Sequence, residues 1–418
     1  MSPAIRLLRG RTFAALEVPN YRLYVSGQAV SLIGTWMQMA AQSWLVLKLT
    51  HSAGWLGLIV AFQTIPVLLL GPYGGVVADR VDKRRVMVAL QAAMGIQALL
   101  LGVLTVAHLV RIWEIAVLAV ALGLNNAFEN PSRQSFMLEL VGPQHLRNAV
   151  SLNSTMVNVA RVIGPAVAGV IIALVGEGPC FLLNAASFIA VIASLVRLDP
   201  TALSPVPPTP RGAGQLREGL RYVAGQPRLA LPLAMMAVVG CLTYEFQVSL
   251  PFMASHGLHT NSAGYGFITA MMGVGAVIGG LWLATRGRTG SAPLIISAFG
   301  YGLAMTLAAA APNLGWELVA MLPVGGASVM FMSQANATLQ LNAAPEMRGR
   351  VMALWFVAFQ GSTPIGGPIV GAVMGALGAR AGLWLGAGAC FVAAAGGWLV
   401  LRFLRERRAA KPTVVVTP

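Results

Sequence analysis

Long apolar runs separated by short polar segments dominate the pattern along this chain. A membrane crossing by an α-helix takes about 20 mostly apolar residues, and twelve runs of roughly that length or longer can be distinguished. Runs this long indicate helices, because the short alternating segments of a membrane barrel are absent. We therefore predict an all-α membrane protein whose spans cover residues 22–47, 53–77, 86–107, 112–138, 147–175, 179–198, 229–254, 264–285, 291–311, 316–341, 351–377 and 381–403.

The distribution of Lys and Arg predicts the orientation of these spans. Nearly all of the 28 basic residues fall in segments that lie on one side of the membrane if both termini are cytoplasmic. The opposite segments hold only Lys48, Arg111 and Arg380. By the positive-inside rule both termini are expected in the cytoplasm of a bacterial-type inner membrane. The basic N-terminus is interpreted as a cytoplasmic leader into the first span, because it lacks a signal-peptide pattern.

Composition narrows the class further. Of 418 residues, 57% are hydrophobic and 10% are charged, whereas soluble domains carry roughly 25% charged residues. The net charge of +15 follows from topology and contact with anionic lipid headgroups, so no nucleic-acid partner is expected. Phosphate-binding, zinc and hydrolase motifs are missing. We expect no metal, no cofactor and no enzyme activity, and a monomer is the default.

A Pro-rich segment divides the chain into two sets of six spans. We predict an N-terminal half at 1–198, a cytoplasmic linker with a short amphipathic helix at 199–228, and a C-terminal half with a basic tail at 229–418. A shift of about 202 residues places Gly164 on Gly366 and Gly169 on Gly371. Six-helix halves repeated in this way indicate a transporter with its substrate cavity between them.

Two motifs resemble the major facilitator superfamily. The segment "GGVVADRVDKRR" between the second and third spans resembles that family's loop motif at Gly75, Asp79, Arg80, Arg84 and Arg85, with Asp82 or Lys83 where the family often has Gly. "GPAVAG" in the fifth span resembles the antiporter motif at Gly164, Pro165 and Gly169, although Ala168 replaces one Gly. The segments "NYRLY", "NPSRQSFMLELVGPQHLRNAVSLNS" and "APEMRGRVMALW" resemble the branch of enterobactin exporters and macrolide-efflux proteins.

The resemblance implies a proton-linked exporter of amphiphilic small molecules, of drug or siderophore type. It also implies that the loop motif acts as a conformational latch between the halves, and we expect the span 5 glycines to pack closely against a helix of the opposite half. Two alternatives remain open, namely a facilitator or symporter for uptake and, less favoured, a non-transporting membrane sensor.

Three ionisable residues fall inside predicted spans, where a charge is costly and each is a functional candidate. Glu129, Arg161 and Glu245 lie in spans 4, 5 and 7. In one hypothesis, Glu129 exchanges a proton against substrate, and Arg161 resets the pKa of Glu129 as the halves move. In a second hypothesis, Glu129 and Arg161 form a static ion pair. The third places the proton on Glu245, beside Tyr244. Glu114, Glu177 and Glu317 fall at outer ends and are expected to be solvated.

A polar stripe on span 1 recurs at steps of three and four, which places it on one helical face. It either forms interhelical hydrogen bonds or lines a substrate cavity. The predicted cavity residues are Gln28, Ser31, Thr35, Trp36, Gln38, Gln42, Asn125, Asn126, Asn158, Tyr244, Gln334 and Asn336.

Overall fold

The computed structural model describes residues 13–204, 215–286 and 289–409, and these residues form helices joined by short connections. Nine helices within these ranges are long and apolar enough to cross a membrane. The helices are α1 (Pro19–Thr50), α2 (Ala53–Arg80), α3 (Lys83–Val106), α4 (Ile112–Val175), α5 (Gly178–Val196), α6 (Gln215–Ala224), α7 (Pro227–Thr243), α8 (Phe246–Phe252), α9 (Ser262–Arg286), α10 (Ser291–Ala309), α11 (Leu314–Asn342), α12 (Arg348–Phe359), α13 (Thr363–Leu377) and α14 (Ala381–Ala409).

The 64-residue helix α4 bends sharply at Gly142, which has φ +65° and ψ 173°. A positive φ is readily adopted only by glycine, and the following Pro143 cannot donate a backbone hydrogen bond. The helix therefore has two arms, 112–141 and 143–175, and each is long enough to span a bilayer. The sequence predicts a turn at this position between separate spans.

Two predicted spans are each broken near the middle. Predicted span 229–254 consists of α7 and α8, separated by the non-helical Tyr244 and Glu245, and a π-helical turn, Met253–Gly257, follows. Predicted span 351–377 consists of α12 and α13, separated by 360–362. The second break falls in the polar segment Gln360 to Thr363, whereas the first interrupts an apolar run only at Tyr244 and Glu245.

The helices form a first bundle, residues 19–196, and a second bundle, residues 227–409, related by matching glycine contacts. Gly164 packs on Trp36 of α1, and Gly366 packs on Cys241 of α7, each within its own bundle. Gly169 of α4 instead meets Ser262 and Gly266 of α9 in the second bundle.

Gly371 completes the pattern, because it meets Ala53 of α2 in the first bundle. The bundles thus touch where α1 turns into α2, through glycines that allow the backbones to approach closely. This corrects the expectation for Gly164, which faces a helix of its own half.

The opposite end of the first bundle is fastened by polar contacts. Asn20 at the start of α1 exchanges two hydrogen bonds with the backbone of Asp199, at 2.9 and 3.0 Å. Lys83 of α3 forms an ion pair with Glu139 of α4, with 2.6 Å between Nζ and Oε1. Buried charges need such partners, so this pair fixes α3 against α4.

The predicted amphipathic helix of the linker corresponds to α6, and residues 205–214 of the linker lie outside the described part. Glu218 forms an ion pair with Arg350 of α12 at 2.8 Å, and the Tyr222 hydroxyl accepts a hydrogen bond from the backbone N–H of Ala344 at 3.1 Å. Val223 is buried while Leu220 is exposed. This helix therefore rests on the second bundle.

Candidate functional site

A cavity of about 450 Å³ lies between the two bundles. Volumes of this size accept drug-sized ligands. Both bundles contribute to its wall, which combines aromatic and apolar side chains with amide, hydroxyl and charged side chains. Its main lining residues are Trp36, Gln63, Thr64, Asn126, Asn130, Arg161, Pro165, Tyr244, Glu245, Phe246, Gln247, Tyr265, Thr269, Met272, Ser328, Met332, Phe359, Gln360 and Thr363.

Arg161 forms part of the wall on the first-bundle side. Its guanidinium carbon lies 4.8 Å from the centre of the Trp36 ring, within the range of a cation–π contact. Trp36 is held there because α1 and α4 approach at Gly164, where a Cβ atom would come within 2.6 Å of the Trp36 Cβ. The buried Nε of Arg161 has no hydrogen-bond partner among the described residues.

Glu245 forms part of the wall on the second-bundle side, at the break between α7 and α8. Only 3% of the residue is exposed, and Oε1 has no hydrogen-bond partner in the described part of the chain. The carboxylate lies against Gly366 and Gly367 and within reach of the Thr363 hydroxyl. These three residues belong to the first turns of α13, and a helix N-terminus favours negative charge.

Tyr244, next to Glu245 in the sequence, fixes the position of the break between α7 and α8. The Tyr244 hydroxyl donates a 2.6 Å hydrogen bond to the backbone carbonyl of Ser328 on α11. The Tyr244 ring packs edge-on against Phe359, with 5.3 Å between ring centres. Since Phe359 ends α12, the two broken helices support each other beside the cavity.

Glu129 lies outside this cavity and has a different partner from the predicted one. Its carboxylate pairs with Arg133 one turn later, with 3.1 Å between Oε1 and Nε. Arg161, whose predicted role was to pair with Glu129, lies over Trp36 instead. The prediction of a Glu129–Arg161 pair is therefore wrong, because a partner four residues away on the same helix meets Glu129 without any contact between the arms of α4.

The polar stripe on α1 makes hydrogen bonds between helices and also borders a small cavity. Gln38 accepts a hydrogen bond from Asn184 of α5 at 2.7 Å and donates one to Gln97 of α3 at 3.0 Å, so it joins three helices. Thr35, Gln38 and Gln42 also line a smaller cavity of about 70 Å³ together with Asn126. Gln28 and Ser31 are buried.

The remaining predicted cavity residues lie away from both cavities. Asn125 donates to the Leu90 carbonyl at 2.8 Å, and Asn158 donates to the Ser154 carbonyl at 2.9 Å. Asn336 accepts from Gln340 at 2.6 Å, and Gln334 is buried. Asn158 and Asn336 thus bond within their own helices, whereas Asn125 bonds to α3.

Several wall residues were not among the predicted set. Gln63, Gln247, Gln360, Thr363 and Thr269 line the central cavity. The signal that could have found them is the presence of an amide or hydroxyl inside an otherwise apolar span, which the sequence shows for each of them.

The predicted latch segment lies at the α2–α3 connection. The surroundings of Gly75 and the side chain of Asp79 lie outside what the structure describes, and Arg80 is exposed. Arg84 donates to the backbone carbonyls of Leu195 and Val196 at the end of α5.

Arg85, the last of the predicted latch residues, forms an exposed ion pair with Asp82, with 3.4 Å between Nε and Oδ2. Arg84 and Arg85 therefore make contacts within the first bundle.

Two outer acids that were expected to be solvated are buried. Glu177 is 5% exposed and pairs with Lys48 at 3.1 Å, and Glu317 is 0% exposed. Their places near helix ends suggested contact with water, but neighbouring helices cover both. Within the described residues, no cluster of three or more His, Cys, Asp or Glu residues has a geometry that could hold a metal ion.

Comparison with known proteins identifies the architecture. The sequence profile of the transmembrane secretion effector family, a branch of the major facilitator superfamily, matches residues 10–412. The staphyloferrin A transporter of Staphylococcus aureus is 32% identical over 176 residues, or 42% of this chain, and the match spans only 44% of that transporter.

Two further matches extend over most of the chain. The enterobactin exporter EntS of Escherichia coli O1:K1 / APEC is 26% identical, with 86% of each chain covered. The crystal structure of a bacterial homolog of the human lysosomal transporter Spinster superposes with a TM-score of 0.71 at 16% identity, covering 92% of this chain and 98% of the other. This likeness shows a shared fold.

The apolar helices and the matched family together indicate a multi-pass protein of the bacterial inner membrane. The matched proteins are transporters, and no catalytic activity is indicated. With a profile match over nearly its whole length, this chain belongs to the transmembrane secretion effector family of the major facilitator superfamily.

Proposed function

We propose that this chain is a secondary active transporter that exports amphiphilic small molecules by proton antiport and alternating access. A relative named as a staphyloferrin A transporter supports transport, and one named as an enterobactin exporter supports export. The observation that carries the proposal is an acid, Glu245, in the wall of a drug-sized cavity between the two bundles.

The same acid touches a contact between the bundles. A Cβ atom placed on Gly367 would lie 3.6 Å from Glu245 Oε2. The backbone carbonyl of Gly367 contacts Gly57 of α2. Adding a proton to Glu245 removes the charge that the α13 N-terminus favours. We infer that this loss of charge alters the contact between α2 and α13. Proton uptake is thereby coupled to rocking of the bundles.

Geometry favours Glu245 over Glu129 as the coupling acid. Glu129 already has a cation partner in Arg133 and lines no part of the central cavity. An acid that must exchange protons as substrate moves is expected beside the substrate, and Glu245 meets that requirement.

The protein is proposed to cross the membrane twelve times and to consist of two domains. Eight of the apolar helices cross once each, and the two arms of α4 supply two more crossings. Helix α1 and the α12–α13 pair supply one crossing each. The N-terminal domain is 1–198, the linker 199–228 and the C-terminal domain 229–418. Both termini lie in the cytoplasm, in accordance with the basic residues.

The state described here is proposed to face the cytoplasm. The bundles meet at the end where α1 turns into α2, through Gly169 with Gly266 and Gly371 with Ala53, and the positive-inside rule makes this end the outer one. Asp79 and Arg80 are proposed to stabilise the opposite, outward-open state. Asp79→Asn should then impair transport while leaving membrane insertion intact.

An accumulation assay tests export directly. Cells that produce the protein and cells that produce the Glu245→Ala variant are compared across a panel of antibiotics, dyes and siderophores. We expect lower accumulation of some compounds with the wild type, and a protonophore should abolish the difference. Higher accumulation with the wild type would instead support the alternative, a facilitator or symporter for uptake.

A further inference from the structure

The central cavity contains one cation and one acid that do not pair with each other. Among the described residues that line it, Arg161 is the only Lys or Arg, and Glu245 is the only Asp or Glu. The Glu245 carboxylate lies against Gly366 and Gly367 of α13, and the Arg161 guanidinium lies over Trp36. No ion pair within 4.0 Å joins Arg161 to any described acid.

A guanidinium presents five donors and has no acceptor. Within the described part of the chain, Arg161 has the Trp36 ring face as its contact, and its buried Nε lacks an acceptor. An unpaired charge at the middle of a membrane is costly and marks a substrate pathway by default. Because Arg161 lines the cavity, a molecule bound there can supply acceptors to the guanidinium nitrogens that face it.

The rest of the wall indicates the remainder of the ligand. Aromatic rings of both bundles face the cavity around Arg161, namely Trp36, Tyr244, Phe246, Tyr265 and Phe359. The Tyr265 ring is held by stacking on Trp44, with 5.8 Å between ring centres. Rigid aromatic walls favour a flat apolar body, and the volume suits one drug-sized molecule.

We propose that Arg161 binds an acidic group of the transported compound, so that the substrates are amphiphiles with an aromatic or apolar body and a carboxylate or similar anion. This inference rests on the proposed transport function. An Arg–carboxylate contact is often bidentate and is stronger than a contact between neutral groups. A purely structural Arg161, held by Trp36 alone, would show no preference for acids.

Matched pairs of ligands test the site by binding alone. The full-length protein is placed in phosphatidylcholine nanodiscs, which carry no anionic lipid. Dansyl-phenylalanine, fluorenylmethoxycarbonyl-leucine and naphthoxyacetic acid are each titrated against their own neutral carboxamides. For at least one pair we expect the acid to bind about tenfold more tightly than the amide, since hydrogen bonds to charged groups are the stronger class.

Substitution of Arg161 assigns that preference. Arg161→Gln should weaken acid binding to the level of the amide and leave amide binding intact, while Arg161→Lys should retain part of the preference. An unchanged preference in Arg161→Gln, or no preference or no binding in the wild type across all three pairs, would overturn the proposal. If Arg161→Gln loses amide binding as well, the Arg161→Lys result decides, and loss of the preference there overturns it.

Transport of the same compounds separates this inference from the proposed function. Proteoliposomes that bind the acid preferentially but move neither compound would contradict the transport function and leave the anion site standing. Proteoliposomes that bind acid and amide equally and move both would leave the transporter standing and overturn the anion site.

Discussion

Glu129 and Arg133 form an ion pair within one arm of α4, with 3.1 Å between the carboxylate Oε1 and the guanidinium Nε. The carboxylate is nearly buried, and the Arg133 side chain is 23% exposed. This relationship removes Glu129 from the cavity chemistry. It also leaves Arg161, on the other arm, available to the cavity.

The ion pair predicts a structural effect for Glu129. Glu129→Gln should lower the melting temperature of the purified protein by a few degrees, because Arg133 loses its partner in a partly buried place. It should keep pH-driven transport. The double variant Glu129→Gln/Arg133→Gln should recover part of the lost stability, and loss of pH-driven transport in a well-folded Glu129→Gln protein would contradict this account.

Two ion pairs near the α2–α3 connection should contribute differently to the free energy of unfolding. Lys83 and Glu139 are 8% and 12% exposed, so Lys83→Met leaves a buried carboxylate and should cost about 3–5 kcal/mol. Arg85 and Asp82 are 89% and 55% exposed, so Arg85→Ala should cost less than about 1 kcal/mol.

Thermal unfolding followed with a thiol-reactive dye measures this difference, because Cys180 and Cys390 are buried until the protein unfolds. Equal shifts of the melting temperature for the two variants would show that the buried Lys83–Glu139 pair stabilises the protein no more than the exposed Arg85–Asp82 pair.

The glycine contacts between the bundles predict a change of state. A Cβ atom at Gly371 would collide with the carbonyl of Ala53, whereas one at Gly375 of the same helix meets nothing within 4 Å. Overpacking of this kind costs about 1–3 kcal/mol. Gly371→Ala should therefore shift the protein away from the described state, and Gly375→Ala is the matched control.

Labelling of a cavity cysteine from the outer side reports that shift. With the native cysteines replaced, Gln247→Cys should react about tenfold faster with an impermeant reagent in the Gly371→Ala background. The rate should be unchanged with Gly375→Ala. The same rate in both backgrounds would refute the assignment of this contact as the outer closure.

Much of the fold follows from the sequence because membrane helices are set by composition. The apolar runs predict an all-helical membrane protein, and the family resemblance is confirmed by the profile match. Pro143 beside Gly142 marks the bend of α4. The segment Gln360, Gly361, Ser362 and Pro364 is a helix-breaking signal that the division into spans passes over. The break at Tyr244–Glu245 carries no Gly or Pro and could not be predicted in this way.

The candidate site was only partly predictable, because partners depend on how the helices rotate. Composition singles out Arg161 and Glu245 as costly charges, and both line the cavity. The pairing of Glu129 with Arg133 has the i,i+4 spacing that the sequence shows, whereas the burial of Glu317 depends on packing that no one-dimensional pattern encodes. Gly164 and Gly169 belong to one motif yet face different bundles, for the same reason.

Glu245 is proposed to couple proton movement to export. The most direct test of this coupling is substrate movement driven by a pH gradient in proteoliposomes, measured for the wild type, Glu245→Gln and the control Glu129→Gln with a compound that producing cells export. We predict that Glu245→Gln loses pH-driven movement but keeps exchange of substrate across the membrane, while Glu129→Gln keeps both. Full pH-driven movement by Glu245→Gln would contradict the account.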